Sequence, residues 1–280
     1  MSLKLPQGKR IAVNIGVDFD AQSVWMTSFG LTSPGYLSRG EYGAVVAAPR
    51  LLAELNRFDI KSTWFTPTHT MQTFPRQFEE VLKNGHEIGA HGCVHEKVGG
   101  LSEEAERALM EKQLGLHQSI IGKRPRGYRS PSWDLTENTL TILEDHGFEW
   151  DSSLMGRDFE PYRPCNVTIR EDGGNIFSEP SKKILEMPVS WHLDDFPVIE
   201  YVPRMNAGMS PPEVVLQRWL DHFTYAYEEV RNAAVFFTFH PQSIGKAPYI
   251  MMLRRLLEKI SSYQGVWFAT MSEIHDCWED

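Results

Sequence analysis

His91 and His95 stand four residues apart in AHGCVHE, directly after the short apolar run Ile88-Gly89-Ala90. Two imidazoles at that spacing fall on one face of a helical turn, close enough to share a metal ion. A third ligand would complete a site capable of chemistry, and the upstream stretch IAVNIGVDFDA offers one. There Asp18 and Asp20 end a strand-like run, and strand alternation turns both carboxylates to the same side. One carboxylate can bind metal while the other handles protons. Catalytic zinc sites commonly keep three protein ligands from this residue set and leave a position for water. Cys93 lies between the histidines, but on a helical turn it points away from the face they share.

Such residues need strands to carry them, and the chain supplies strands in alternation with helices. Ile11 to Val17 is a branched apolar run suited to a buried parallel strand with functional residues at its C-terminal end. The aromatic stretch from Gln22 to Gly43 has no clear period and reads as a long loop near the strand mouth, either functional or packed on itself. Ala44 to Phe58 has helical spacing, Ile60 to Phe65 reads as a strand, Pro75 opens a helix through Leu82, and His86 to Ala90 leads into the histidine pair. Ser102 is a helix cap, with the helix reaching Ile121 before Gly122. Arg126 to Tyr128 is a strand leading to Arg129-Ser130-Pro131-Ser132-Trp133, and Thr136 to His146 is helical. A loop-like section from Met155 to Ser181 precedes a strand at Ile184 to Val189, then WHLDDFP. A helix from Pro211-Pro212 to Val230, the strand Ala234 to Phe239 delivering His240, a helix at Ala247 to Ile260 and a strand at Val266 to Ala269 complete the chain. The alternation implies a parallel sheet, and the number of units favours a closed or nearly closed α/β barrel, one domain over residues 1–280. Every candidate residue then falls at the C-terminal end of a strand.

Composition narrows the partners. The chain has 280 residues, 41% hydrophobic and 23% charged, as in a soluble globular protein. Its formal net charge of -9 argues against nucleic acid or an anionic membrane, either of which needs a basic face. Cys93, Cys165 and Cys277 are too few and too scattered for a disulfide framework, so a reducing compartment is expected. The first residues, MSLKLPQGKR, lack a signal-peptide core, which points to a cytoplasmic enzyme.

Five stretches, VDFDA, HGCVH after GHEIGA, GYRSPSW, SWHLDDFP and FTFHP, together resemble the polysaccharide deacetylase (NodB homology) family. The resemblance runs from about Ile11 to Ile274 and is greatest to the branch of cyclic imide hydrolases and peptidoglycan-deacetylase-like proteins. It implies an irregular (β/α) barrel, hydrolysis of non-peptide amide C–N bonds and a divalent metal, zinc first. The chain departs from the family's adjacent-aspartate TFDDG pattern, because Ala21 follows Asp20 and Gln22 replaces the glycine. In one register Asp18 is the base and Asp20 the ligand. In the other Asp20 is the base and the aspartate ligand is missing. The first is preferred because it retains Asp20, His91 and His95 as a three-ligand site.

The resemblance further suggests that Arg129 orients the base and that His240 protonates the leaving nitrogen. The Ser132 N–H would help hold the oxyanion, and Trp25, Trp133 and Trp191 would wall the substrate. Asp194 and Asp195 read either as solvated loop acids or as a border to the substrate. A small cyclic imide or related amide is the first substrate choice. An N-acetylated sugar, chitooligosaccharide or peptidoglycan is the alternative, and a non-catalytic binding protein on the same fold is a third reading. A homo-oligomer, dimer or tetramer, is expected from the same branch.

Overall fold

The computed structural model describes residues 2–279. Its main sheet contains, in chain order, β1 (Ile11–Asp18), β2 (Thr63–Thr66), β3 (Glu87–Ala90), β4 (Gly127–Tyr128), β5 (Trp150–Asp151), β6 (Leu185–Glu186), β7 (Ala233–Phe239) and β8 (Val266–Phe268). All neighbours run parallel. All eight residues of β1 and all seven of β7 are buried, as near-continuous apolar runs covered on both faces should be. β1 pairs with β7 on one side and, on the other, with β8 along its first half and β2 along its last residues. From β2 the sheet curls through β3, β4 and β5 to β6. Between the β6 and β7 ends, among the described residues, the parallel contact is a single bridge from Asp194 to Thr238. The result is a curled half-barrel whose strand C-termini converge on one mouth.

Helices seal the outside. Pro212–Glu229 and Ala247–Ser261 pack on each other and on the β1/β7 face, burying Trp219, Phe223, Leu253, Leu256 and Leu257. Trp219 meets Phe239 at 5.4 Å between ring centroids, and truncating such a residue costs about 3–5 kcal/mol. Glu103–Ile121 begins where Ser102 Oγ accepts from the Ala105 N–H (3.3 Å) and ends at Gly122, whose φ of 80° closes it in the left-handed region. No helix among the described residues is long and apolar enough to cross a membrane.

Three local expectations are corrected. The stretch from 22 to 43 is mostly helical, with a π-helical turn at Val24–Ser28 and a helix at Pro34–Tyr42. The π turn breaks the 3.6-residue period, and Val24, Trp25, Phe29, Leu31 and Tyr36 form their own small core with Phe196 and Val202, so aromatics occupy positions that a simple amphipathic stripe would leave polar. The histidine pair is not on a helical turn. Residues 91–95 are irregular, with left-handed Gly92 (φ 69°) and His95 (φ 61°), and this kinked path brings the two rings together instead. The section from 155 to 181 carries a short hairpin, Val167–Thr168 with Ile176–Phe177, exposed to solvent.

Candidate metal centre and catalytic cleft

β1 ends at Asp18, and just beyond it the Phe19 N–H donates to Phe65 O at 2.8 Å. Phe19 therefore points into the core, edge-on to Trp64, while Asp18 and Asp20 share the opposite side. Ala21, at φ 49°, then turns the chain away. β3 delivers His91, and the kinked segment after it delivers His95.

Asp20 Oδ1 lies 3.4 Å from His91 Nε2 and 3.7 Å from His95 Nε2. All three residues are buried, and one ligand atom from each falls within 4.8 Å of the others. Tetrahedral coordination with bonds of about 2.0–2.1 Å places ligand atoms about 3.3–3.4 Å apart, so the spacing fits a zinc-sized cation. A partner lies on the far side of each ring, and for His91, whose partner is a carbonyl, it fixes the tautomer. His91 Nδ1 donates to Arg129 O (2.7 Å) and His95 Nδ1 meets Ser28 Oγ (2.6 Å), leaving Nε2 of each ring toward Asp20. Both Asp20 oxygens and His91 Nε2 are buried without a hydrogen-bond partner, which is costly unless a cation takes their lone pairs. Burial pushes the Asp20 carboxyl up, but His95, His91 and His240 outweigh it and hold it well below the usual range. Burial holds His95 down at about 4, the neutral form a metal needs. Burial also opposes charge on His91, yet Asp20 and Asp18 raise it, a sign of surplus negative charge that a dication would neutralise.

Asp18 faces the same space. Its Oδ1 accepts from Arg129 Nη1 at 2.6 Å, and its Oδ2 lies 4.0 Å from His91 Nε2. Arg129 is fully buried; Nε donates to Ser152 O (3.1 Å), Nη2 to Ser152 Oγ (2.9 Å), and the guanidinium lies 4.0 Å over the Phe65 ring. This approach explains Gly16 in β1, where a Cβ would sit 3.1 Å from Arg129 Nη1 and 3.0 Å from Phe237 O.

His240, at the end of β7, closes the opposite wall. Its Nε2 lies 3.7 Å from Asp20 Oδ2 and 3.9 Å from Asp18 Oδ2, while Nδ1 donates to Asp195 Oδ1 at 2.8 Å. Burial disfavours charge on His240, but Asp194 and Asp195 raise it well above its ordinary range. Asp194 and Asp195 are not solvated: Asp194 lines the cleft, as a border to the substrate would, and Asp195 lies behind it. Both are buried, and burial, with mutual repulsion on Asp194, raises them to about 8 and about 6. The Asp194–Thr238 bridge seats this pair beside β7, a long-range pairing that local sequence does not announce. With His240 they form a second acid–histidine group, hydrogen-bonded within itself: Asp195 accepts from the His240 N–H (2.9 Å) and Nδ1–H, and Asp194 Oδ1 from the Phe196 N–H (2.8 Å).

The cleft over these groups is a cavity of about 290 Å³ whose walls include Phe29, Ser132, Trp133, Trp191 and Phe196. Trp133 and Trp191 meet with ring centroids 4.2 Å apart, and Trp191, 45% exposed, stands at the mouth. Trp25 does not line it. It is fully buried, under the Arg39 guanidinium at 4.1 Å, and backs Phe29 and Phe196 from behind. Ser132 and Trp133 both adopt left-handed backbone (φ 58° and 56°), strain of about 1–2 kcal/mol per residue that presents their side chains to the cleft.

The family model for polysaccharide deacetylase matches residues 41–150. A Helicobacter pylori protein named peptidoglycan deacetylase is 33% identical over 284 residues, covering 96% of each chain. A peptidoglycan deacetylase-like protein of Gibberella zeae is 32% identical over 80% of this chain and 72% of its own. A crystal structure from Mycobacterium smegmatis, assigned to the polysaccharide deacetylases, superposes with a TM-score of 0.85 at 30% identity over 98% of this chain and 92% of that one. A structure of PuuE allantoinase shares the fold, with a TM-score of 0.80 at 21% identity over the same shares of the two chains. With the matched residues running almost the whole length, this chain belongs to the polysaccharide deacetylase family, hydrolases of carbon–nitrogen amide bonds.

Proposed function

We propose that the protein hydrolyses a small cyclic imide or related amide, with Asp20, His91 and His95 holding a divalent metal, zinc first. The small aromatic-walled cavity of about 290 Å³ over the catalytic groups carries this reading, since its size matches a small planar ring better than a polymer. The metal, when bound, acidifies water and polarises the scissile carbonyl. Asp18 takes the proton of the attacking water, and Arg129 holds its carboxylate in line. The Ser132 N–H is the backbone donor assigned to the oxyanion that develops on the substrate. His240, with Nδ1 on Asp195 and Nε2 toward the cleft, gives its proton to nitrogen as the C–N bond breaks.

De-N-acetylation of a sugar or peptidoglycan is the second reading, favoured by the name of the Helicobacter pylori relative. Assaying succinimide-type rings beside acetylated chitooligosaccharides separates the two. Ring opening without acetate release supports the first, and acetate release without ring opening replaces it with the second. Metal retained stoichiometrically with turnover of neither would favour a binding role. A homo-oligomer in the cytoplasm completes the proposal, tested by light scattering and cell fractionation.

A further inference from the structure

At the C-terminal ends of β5 and β6, outside the metal ligands and the cleft lining, are two carboxyl groups that the reaction does not touch. Asp151 ends β5 and Glu186 ends β6, and the two are direct partners in the parallel ladder. Both are fully buried. Two adjacent carboxylates without water cannot both ionise, so the pair holds a shared proton. Burial together with the neighbouring carboxyl pushes Glu186 well up, and burial raises Asp151 to about 6.

Maintaining such a pair is expensive, and its bonds indicate its use. Glu186 Oε1 accepts two consecutive backbone N–H groups, from Ser153 (3.0 Å) and Leu154 (2.9 Å). Asp151 Oδ1 accepts from Ser153 Oγ (2.8 Å), and that hydroxyl in turn accepts the Ser130 N–H (2.9 Å). The turn so pinned, residues 152–154, presents Ser152 O and Oγ to Arg129 Nε and Nη2. Arg129 then holds Asp18 through Nη1 and His91 through its carbonyl. The remaining oxygens, Asp151 Oδ2 and Glu186 Oε2, are buried and take no part in holding the turn.

We propose that Asp151 and Glu186 are positioning residues, a buried carboxyl pair that fixes the 152–154 turn and through it the Arg129 clamp on Asp18. This rests on Asp18 being the base. Because Glu186 works as an acceptor of two N–H groups, Gln reproduces its pattern and Leu does not.

The test compares Glu186→Gln, Glu186→Leu and Ser153→Ala in the full-length protein. It reads hydrogen exchange of peptides spanning 127–133 and 150–155 and, separately, kcat and KM. Glu186→Leu should speed exchange in both peptides and lower kcat by about 10–100-fold with KM within about threefold, the scale of a displaced catalytic group. Glu186→Gln should match wild type in both readouts. Ser153→Ala, which removes one hydroxyl and decides the matter if Glu186→Leu does not fold, should speed exchange around Ser130 and lower kcat by about 5–20-fold. Wild-type exchange in Glu186→Leu or Ser153→Ala, or equal damage in Glu186→Gln and Glu186→Leu, overturns the proposal. Exchange does not depend on the substrate, so altered exchange beside an Asp18→Asn variant of full activity would instead sink the base assignment.

Discussion

Asp195→Asn is the substitution that most cleanly separates the charge of the acid group from its shape. Asn retains an oxygen for His240 Nδ1–H and for the His240 backbone N–H, contacts of 2.8 Å and 2.9 Å in the native protein, so the ring keeps its tautomer and its Nε2 still faces Asp18 and Asp20. What disappears is a negative charge against a buried imidazolium. At an effective dielectric near 20, a pair of unit charges about 4 Å apart is worth about 4 kcal/mol, and Asp194, 3.5 Å from Nδ1, still supplies part of the field. A loss of about 2–4 kcal/mol lowers the titration of His240 by about 1.5–3 pH units. His240 sits above its ordinary range and must be protonated to act, so activity is present below its pKa and lost as pH rises through it. Asp195→Asn should therefore move the alkaline limb of kcat/KM down by that interval. Activity on the acid side should stay near native, while beyond both limbs it should fall by about 30–1000-fold. Circular dichroism checks that the fold is kept. An unmoved alkaline limb would mean that the leaving nitrogen takes its proton from another group.

Asp18→Asn should leave metal content unchanged by elemental analysis and lower kcat by about 100- to 10,000-fold, whereas full activity would remove Asp18 from the base role. Trp191→Ala, which removes the ring whose centroid lies 4.2 Å from that of Trp133, should raise KM for a ring substrate by about 5–30-fold with kcat nearly kept, measured by steady-state kinetics. His117 is buried with neither ring nitrogen partnered, and burial depresses it to about 4. The unfolded chain takes up this proton first, so stability is full above 6.5 and falls as pH drops toward 4. His117→Leu should accordingly reduce the stability lost between pH 7.5 and pH 5 by about 2 kcal/mol in urea melts, and an unchanged loss would refute it.

The strands that carry the site were legible because buried parallel strands are nearly continuous apolar runs, as in Ile11–Val17 and Ala233–Phe239. Pro, Gly and Ser signals placed the helices at Pro75–Lys83, Glu103–Ile121 and Pro212–Glu229 to within a few residues. The convergence of Asp18, Asp20, His91, His95, Arg129 and His240 followed from placing each at a strand end. Spacing misled for the histidine pair: four residues suggested a helical turn, but left-handed backbone at Gly92 and His95 achieves the same proximity. For Asp194 and Asp195 the sequence leaves open solvated loop acids or a border to the substrate, because their burial depends on a bridge to Thr238 more than forty residues away. The Asp151–Glu186 pair was illegible for the same reason, since nothing local marks two residues from different strands as ladder partners.

Anomalous diffraction from crystals of protein purified without added metal tests the central claim most directly. One dispersive peak bonded to Asp20 and to Nε2 of His91 and His95, and absent from a His95→Ala crystal, is the expected result. A peak seated instead among Asp194, Asp195 and His240, or none at either group in catalytically active protein, would contradict it.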